Sequence, residues 1–128
     1  MNLNNFTIKA QEAITHAQQV AFNNANPNIE TEHILKALLN DDNSSTDYLL
    51  KKNNVNVKFL ESKLDESIAK LPKVNGTDPA QAIGRDANNA VLRAGNNLKK
   101  FGDEFITPEH LLLSILQGSD NTAKLLKD

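Results

Sequence analysis

The chain has 128 residues, a formal net charge of −2, a pI near 5.9 and no cysteine, which is one domain long enough to bury roughly two-thirds of its unfolded surface. Missing cysteine excludes a disulfide framework, a thiolate zinc site and a thiol nucleophile, and the slightly acidic balance excludes the basic stripe that nucleic-acid binding requires. Met1–Asn5 carries no basic segment leading into an apolar one, and the longest apolar run falls far short of the roughly eighteen residues of a membrane span, so the sequence reads as soluble, unexported and suited to the cytoplasm.

From Phe6 the chain sets up a helix. Phe6 can staple its entry and Thr7 can cap it. Ala10, Ala13, Ile14, Ala17, Val20 and Ala21 recur at the spacing of one helical face. That face is mostly alanine, which predicts close approach of another helix, expected to be the counterpart from later in the chain. The turn formers Asn23, Asn24, Asn26, Pro27 and Asn28 end the helix near Asn24. A second helix is expected from about Glu30 to Asn40 with Ile34, Leu35, Leu38 and Leu39 inward, then a turn over Asp41–Ser44 and a short helix over Thr46–Lys52 with its basic residues in the last turn. Asn56 can cap a fourth helix whose stripe is Phe59, Leu60, Leu64, Ile68 and Leu71, with Pro72 ending it and its charged residues as a solvated face. Residues 72–82, containing Gly76 and Pro79, read as a flexible connection. A long helix then begins near Ile83 with Ala87, Ala90, Val91, Ala94, Leu98 and Phe101 on one face and Gly102 at its end. Thr107 as N-cap, Pro108 at the first helical position and Glu109 in the first turn open the next helix, and Thr122–Lys127 echoes the stretch Tyr48–Lys51. No segment reads as a strand.

The chain repeats itself. Glu32 and Glu109 are 77 positions apart, and the same offset carries Ile29 to Ile106, His33 to His110, Ile34 to Leu111, Leu35 to Leu112 and Leu39 to Leu116. Upstream it carries Ala10 to Ala87, Ala13 to Ala90, Ile14 to Val91 and Ala17 to Ala94. Two copies are too few for an open solenoid. The expectation is an all-α, closed pseudo-twofold domain of seven or eight helices, with repeats at about 6–53 and 83–128 joined by a helix over 56–71 and the connection 72–82.

Catalytic chemistry finds no footing. His33 and His110 each follow a glutamate directly, so the two side chains of each pair diverge on a helix, and no third ligand at fitting spacing accompanies them; packing or loop-bonding is the expected role. No Gly-rich phosphate loop, nucleophile elbow or Ser/His/Asp grouping stands out. The acidic pairs Asp41-Asp42 and Asp103-Glu104 fall in turns, where capping and solvation account for them. What remains is a binding surface.

The residues that carry a family resemblance are Phe6-Thr7-Ile8-Lys9-Ala10-Gln11-Glu12-Ala13 and the twin segments Thr31-Glu32-His33-Ile34-Leu35 and Pro108-Glu109-His110-Leu111-Leu112-Leu113. Over essentially its whole length the chain resembles the Clp N-terminal repeat domain. Leu71-Pro72-Lys73-Val74-Asn75-Gly76 and Phe101-Gly102-Asp103-Glu104-Phe105-Ile106 are most similar to the ClpB disaggregase branch. The resemblance implies a non-catalytic module tethered to two AAA+ ATPase modules, absent from this chain, that bind ATP and magnesium, form a homohexamer and work with the DnaK system. It implies no cofactor for the domain itself and, as partners, unfolded or aggregated polypeptides, with neither nucleic acid nor membrane. It assigns substrate handling to Thr7, Asp103 and Glu109 and groove positions to Val91 and His110, where relatives carry an apolar residue in place of the histidine. The alternative is an adaptor-docking or phosphoarginine-reading module of the ClpA or ClpC type, in which Glu32 and Glu109 act together.

Overall fold

A computed structural model describes residues 3–40, 46–74, 82–102 and 104–127. The expected turn over Asp41–Ser44, Gly76 and Pro79 of the connection, the side chain of Phe101, and Asp103 lie outside the described residues. Seven helices are described: α1 (Ile8–Asn23), α2 (Thr31–Leu39), α3 (Thr46–Lys52), α4 (Val57–Ala69), α5 (Arg85–Phe101), α6 (Pro108–Leu116) and α7 (Asn121–Lys127). The caps are the local chemistry anticipated. Thr7 Oγ1 accepts from the Ala10 amide at 3.1 Å, Asn56 Oδ1 accepts from Phe59 at 3.1 Å, and Gly102 ends α5 at φ +71°, a left-handed conformation that costs glycine least.

Two minimal strands depart from the strand-free expectation. β1 (Asn28–Ile29) and β2 (Ala82–Ile83) pair in parallel, with Ile29 opposite Ile83. Phe6 bridges Ile106 in the same sense. Adding 77 to Phe6 gives Ile83, and adding it to Ile29 gives Ile106, so these are one contact made twice by the pseudo-twofold. Each pair clamps the lead into the first helix of one repeat against the lead into the second helix of the other. A strand of two residues leaves no alternation to read.

The alanine face of α1 also finds a different neighbour. It packs chiefly on α2 of its own repeat, as α5 packs on α6, and the repeats meet instead through α2 with α5 and α6 and through α1 with α6. Ala10, Ala17 and Ala21 are fully buried. Small side chains let α1 lie close on α2, whose Ile34, Leu35 and Leu38 supply the volume.

α4 is corrected in three respects. Phe59 is 60% exposed rather than inward, and Leu71 lies beyond the helix, which stops at Ala69 with Lys70 as its cap. The buried stripe is Val57, Leu60, Leu64 and Ile68. Its charged face does more than meet water, since Asp65 pairs with Lys36 of α2 at 2.9 Å. The start of the inter-repeat connection is held rather than loose: Val74 donates to the Ala25 carbonyl at 2.8 Å, and the Pro72 carbonyl accepts from Asn26 Nδ2 at 2.9 Å.

Candidate functional site

The Phe6–Ile106 bridge brings the starts of α1 and α6 side by side. The Thr7 amide donates to the Ile106 carbonyl at 2.9 Å, and the Ile106 amide donates to Asn5 at 2.8 Å. In this parallel register Thr7 stands beside Thr107, and the two helices begin at Ile8 and Pro108. Phe105 precedes the bridge on one segment and Ile8 follows it on the other. Both side chains face water: Ile8 is 74% exposed and Phe105 is 51% exposed. Ile8 also heads a shallow groove of about 510 Å³ along the outer face of α1, walled by Gln11, Glu12, Thr15 and His16. The bridge is thus flanked in sequence by two exposed apolar side chains, Ile8 and Phe105, carried on hydrogen-bonded backbone.

Of the residues singled out in the sequence, Thr7 is half-buried at the bridge as the cap of α1. His110 is half-buried in the first turn of α6, where its Nδ1 accepts from the Thr107 amide at 2.9 Å while its own amide donates to Thr107 Oγ1 at 3.3 Å. Val91 is half-buried on α5 against the core. Glu109 is exposed and lines a different feature, a groove of about 980 Å³ between α3, α4, α6 and α7. That groove is floored by Leu112, Leu113 and Leu116 and edged by Phe59, Asn53 and Lys127. The structure therefore gathers Thr7 and His110 at the bridge and sets Glu109 apart from them. The sequence reading missed Ile8 and Phe105. Their signal was available, since Ile8 lies off the alanine stripe and Phe105 stands in a turn, each an apolar residue with no face to bury on.

His33 and His110 are helix caps. His33 Nδ1 accepts from the Glu30 amide at 2.8 Å, the counterpart of the His110 bond. Because Nδ1 accepts from an N–H, the His33 proton resides on Nε2 and is donated to Asn26 Oδ1 at 2.8 Å. Burial lowers its pKa to about 4. Among the described residues no three His, Asp or Glu side chains gather as a metal site. The paired glutamates are unlike. Glu32 is only 8% exposed and accepts from Ser67 Oγ at 3.1 Å, whereas Glu109 faces the open groove.

Residues 5–128 match the Clp repeat (R) N-terminal domain. The chain belongs to that family. This Clp N-domain is 34% identical over 128 residues to the chaperone protein ClpB of Bacteroides thetaiotaomicron, all of this chain against 15% of that protein. It therefore spans less than a sixth of the length of this relative. Among solved structures it resembles the Hsp104 N-terminal domain from Candida albicans, with a TM-score of 0.83 and 21% identity over 97% of this chain and 81% of that one. It also resembles the ClpV N-domain solved in complex with a VipB peptide, with a TM-score of 0.77 and 16% identity over 98% of this chain and 81% of that one. A Clp N-domain is a binding module of a chaperone, not a catalytic one, and among the described residues no helix is long and apolar enough to cross a membrane.

Proposed function

We propose that this Clp N-domain is the client-receiving module of a ClpB-type disaggregase, and that it holds exposed apolar segments of unfolded or aggregated polypeptides on the face around the Phe6–Ile106 bridge. The observation that carries this reading is the exposure of Ile8 and Phe105 on either side of a fixed backbone clamp. Two large apolar side chains held in water by hydrogen-bonded backbone cost the isolated domain solvation that a client segment recovers. Burial at about 25 cal/mol per Å² makes a few hundred Å² worth several kcal/mol before ordering costs, so affinity is micromolar or weaker. Such a face discriminates by apolarity and not by sequence, as a disaggregase needs.

In this proposal the full-length protein is cytoplasmic and carries AAA+ modules that bind ATP and magnesium, assemble as a homohexamer and work with the DnaK system. The domain hands its client to the ring, and a tether raises the client's effective concentration there, so weak binding suffices. Glu109 and Val91 lie off this face, and their part in client handling, like that of Asp103, rests on the resemblance alone. The second reading is adaptor docking, which the peptide complex of the related ClpV N-domain favours. Its phosphoarginine form asks both repeat glutamates to meet a ligand, and buried, hydrogen-bonded Glu32 argues against that.

The test is fluorescence anisotropy of a labelled, permanently unfolded protein titrated with the domain. Weak, saturable binding is expected, reduced about tenfold by Ile8→Asp or Phe105→Asp, a loss of about 1.4 kcal/mol each. Alanine at Thr7, Val91, Asp103, Glu109 and His110 is titrated alongside, with folding checked by circular dichroism. No binding by the wild-type domain, or binding indifferent to Ile8 and Phe105, overturns the reading.

A further inference from the structure

The Phe6–Ile106 pairing has two outer edges, and they are not alike. Ile106 turns both its N–H and its C=O toward the lead into α1, bonding Asn5 and Thr7. Successive residues of an extended chain turn these groups to opposite sides, so those of Phe6 on one segment and of Phe105 and Thr107 on the other face outward. The Phe6 edge is closed: its amide donates to the Leu3 carbonyl at 3.1 Å, and its carbonyl accepts from Gln11 Nε2 at 3.2 Å. Thr107 is closed as well, its amide by the His110 ring and its carbonyl by the Leu111 amide. Phe105 is not. Among the described residues neither its N–H nor its C=O has a hydrogen-bond partner, and its side chain is 51% exposed.

The first repeat shows what a related turn holds. The 77-residue offset carries Ala25 onto Gly102, and the two share a left-handed backbone, with φ +55° and +71°. Against Ala25 lies a non-helical stretch of chain, Pro72–Val74. The Val74 amide donates to the Ala25 carbonyl at 2.8 Å, Lys73 Nζ donates to the Asn24 carbonyl at 2.9 Å, and the Pro72 carbonyl accepts from Asn26. Every one of these bonds uses a main-chain group. The Gly102 carbonyl has no such partner among the described residues. The segment leading into α6 therefore presents three peptide groups that no described residue engages.

We propose that this edge takes a client by its main chain: an extended segment lies along Phe105 as an added strand, exchanging hydrogen bonds with its N–H and C=O and donating an amide to Gly102. The proposal rests on the reading that the domain receives clients, and it names the part of a client that is recognised. Main-chain bonds are the same for every residue but proline, which suits a receptor without sequence preference. A helical segment is refused because its amides are already paired within it. Side chains alternate along an added strand, so the favoured segments carry an apolar residue at every second position, where it covers the Phe105 ring. So short an open edge keeps the contact weak and gives two copies of the domain little to pair through.

The test uses a fluorescent, unfolded peptide of alternating apolar and polar residues in three forms: unmodified, N-methylated at every second residue, and N-methylated throughout. Methylation at alternate residues leaves one edge of the peptide with all its donors, so this form is expected to bind within about twofold of the unmodified one. The fully methylated form has no amide to donate and is expected to bind about tenfold more weakly. Hydrogen exchange of the Phe105 amide is expected to slow about tenfold at saturation with the unmodified peptide. Equal binding of the fully methylated peptide, or unchanged exchange at Phe105, overturns the added strand, and the client reading then stands where Ile8→Asp still weakens binding. No binding of the unmodified peptide overturns both.

Discussion

His33 shows how much a single side chain fastens. Its Nδ1 closes the start of α2, and its Nε2 holds Asn26, whose Nδ2 in turn holds the Pro72 carbonyl after α4. Protonating the ring destroys the acceptor that binds the Glu30 amide. The folded-state pKa of about 4 lies below the ordinary 6.5, so this group's contribution is fully present above pH 6.5 and is lost as pH falls toward 4, up to about 3 kcal/mol. Glu30 runs the other way, since burial and the neighbouring Glu32, Asp86 and Asp120 raise its pKa, and its protonation on acidification offsets part of the loss. Urea unfolding followed by circular dichroism at pH 7, 5.5 and 4 is expected to show falling stability in the wild type and a flatter profile for His33→Gln, whose amide accepts and donates without titrating. An equally steep profile in the variant contradicts this assignment. Caps at Thr7, Asn56 and Thr107 were legible in the sequence because capping is decided within four residues. The loop-bonding role expected of His33 and His110 holds, but its form as a cap was not legible, because glutamate or glutamine is the usual partner at that position of a capping box.

At the scale of elements, periodicity located the helices and the faces they bury, but it does not name the neighbour. The alanine stripe of α1 announced a close approach, and the helix that approaches is α2 rather than α5. Ala17 on that stripe has no exposed surface. Ala17→Leu is expected to cost about 1–3 kcal/mol in chemical denaturation by forcing α1 off α2. Phe22→Ala, at an exposed position on the same helix, is expected to stay within about 0.5 kcal/mol. A tolerant Ala17→Leu would mean that the α1–α2 spacing is looser than described. Phe59 was assigned to the core because its spacing fits the stripe of α4. It lies instead on the groove's edge with Lys63 Nζ 5.5 Å from its ring centre, an outcome set by which helices stand nearby.

For the whole molecule, the 77-residue offset was the most informative signal. It foretold the pseudo-twofold, and in the structure it relates the two parallel pairings to each other. The family followed from the same segments. The candidate binding face was less legible, because Ile8 and Phe105 flank a pairing of Phe6 with Ile106 that is distant in sequence and that no local pattern encodes. The measurement that tests the central claim most directly is a methyl and amide chemical-shift map of the isotope-labelled domain titrated with an unfolded, apolar peptide. The account predicts shifts concentrated at Thr7, Ile8, Phe105 and His110 and lost in Ile8→Asp; shifts centred instead on Leu113, Leu116 and Leu125, or absent altogether, would contradict it.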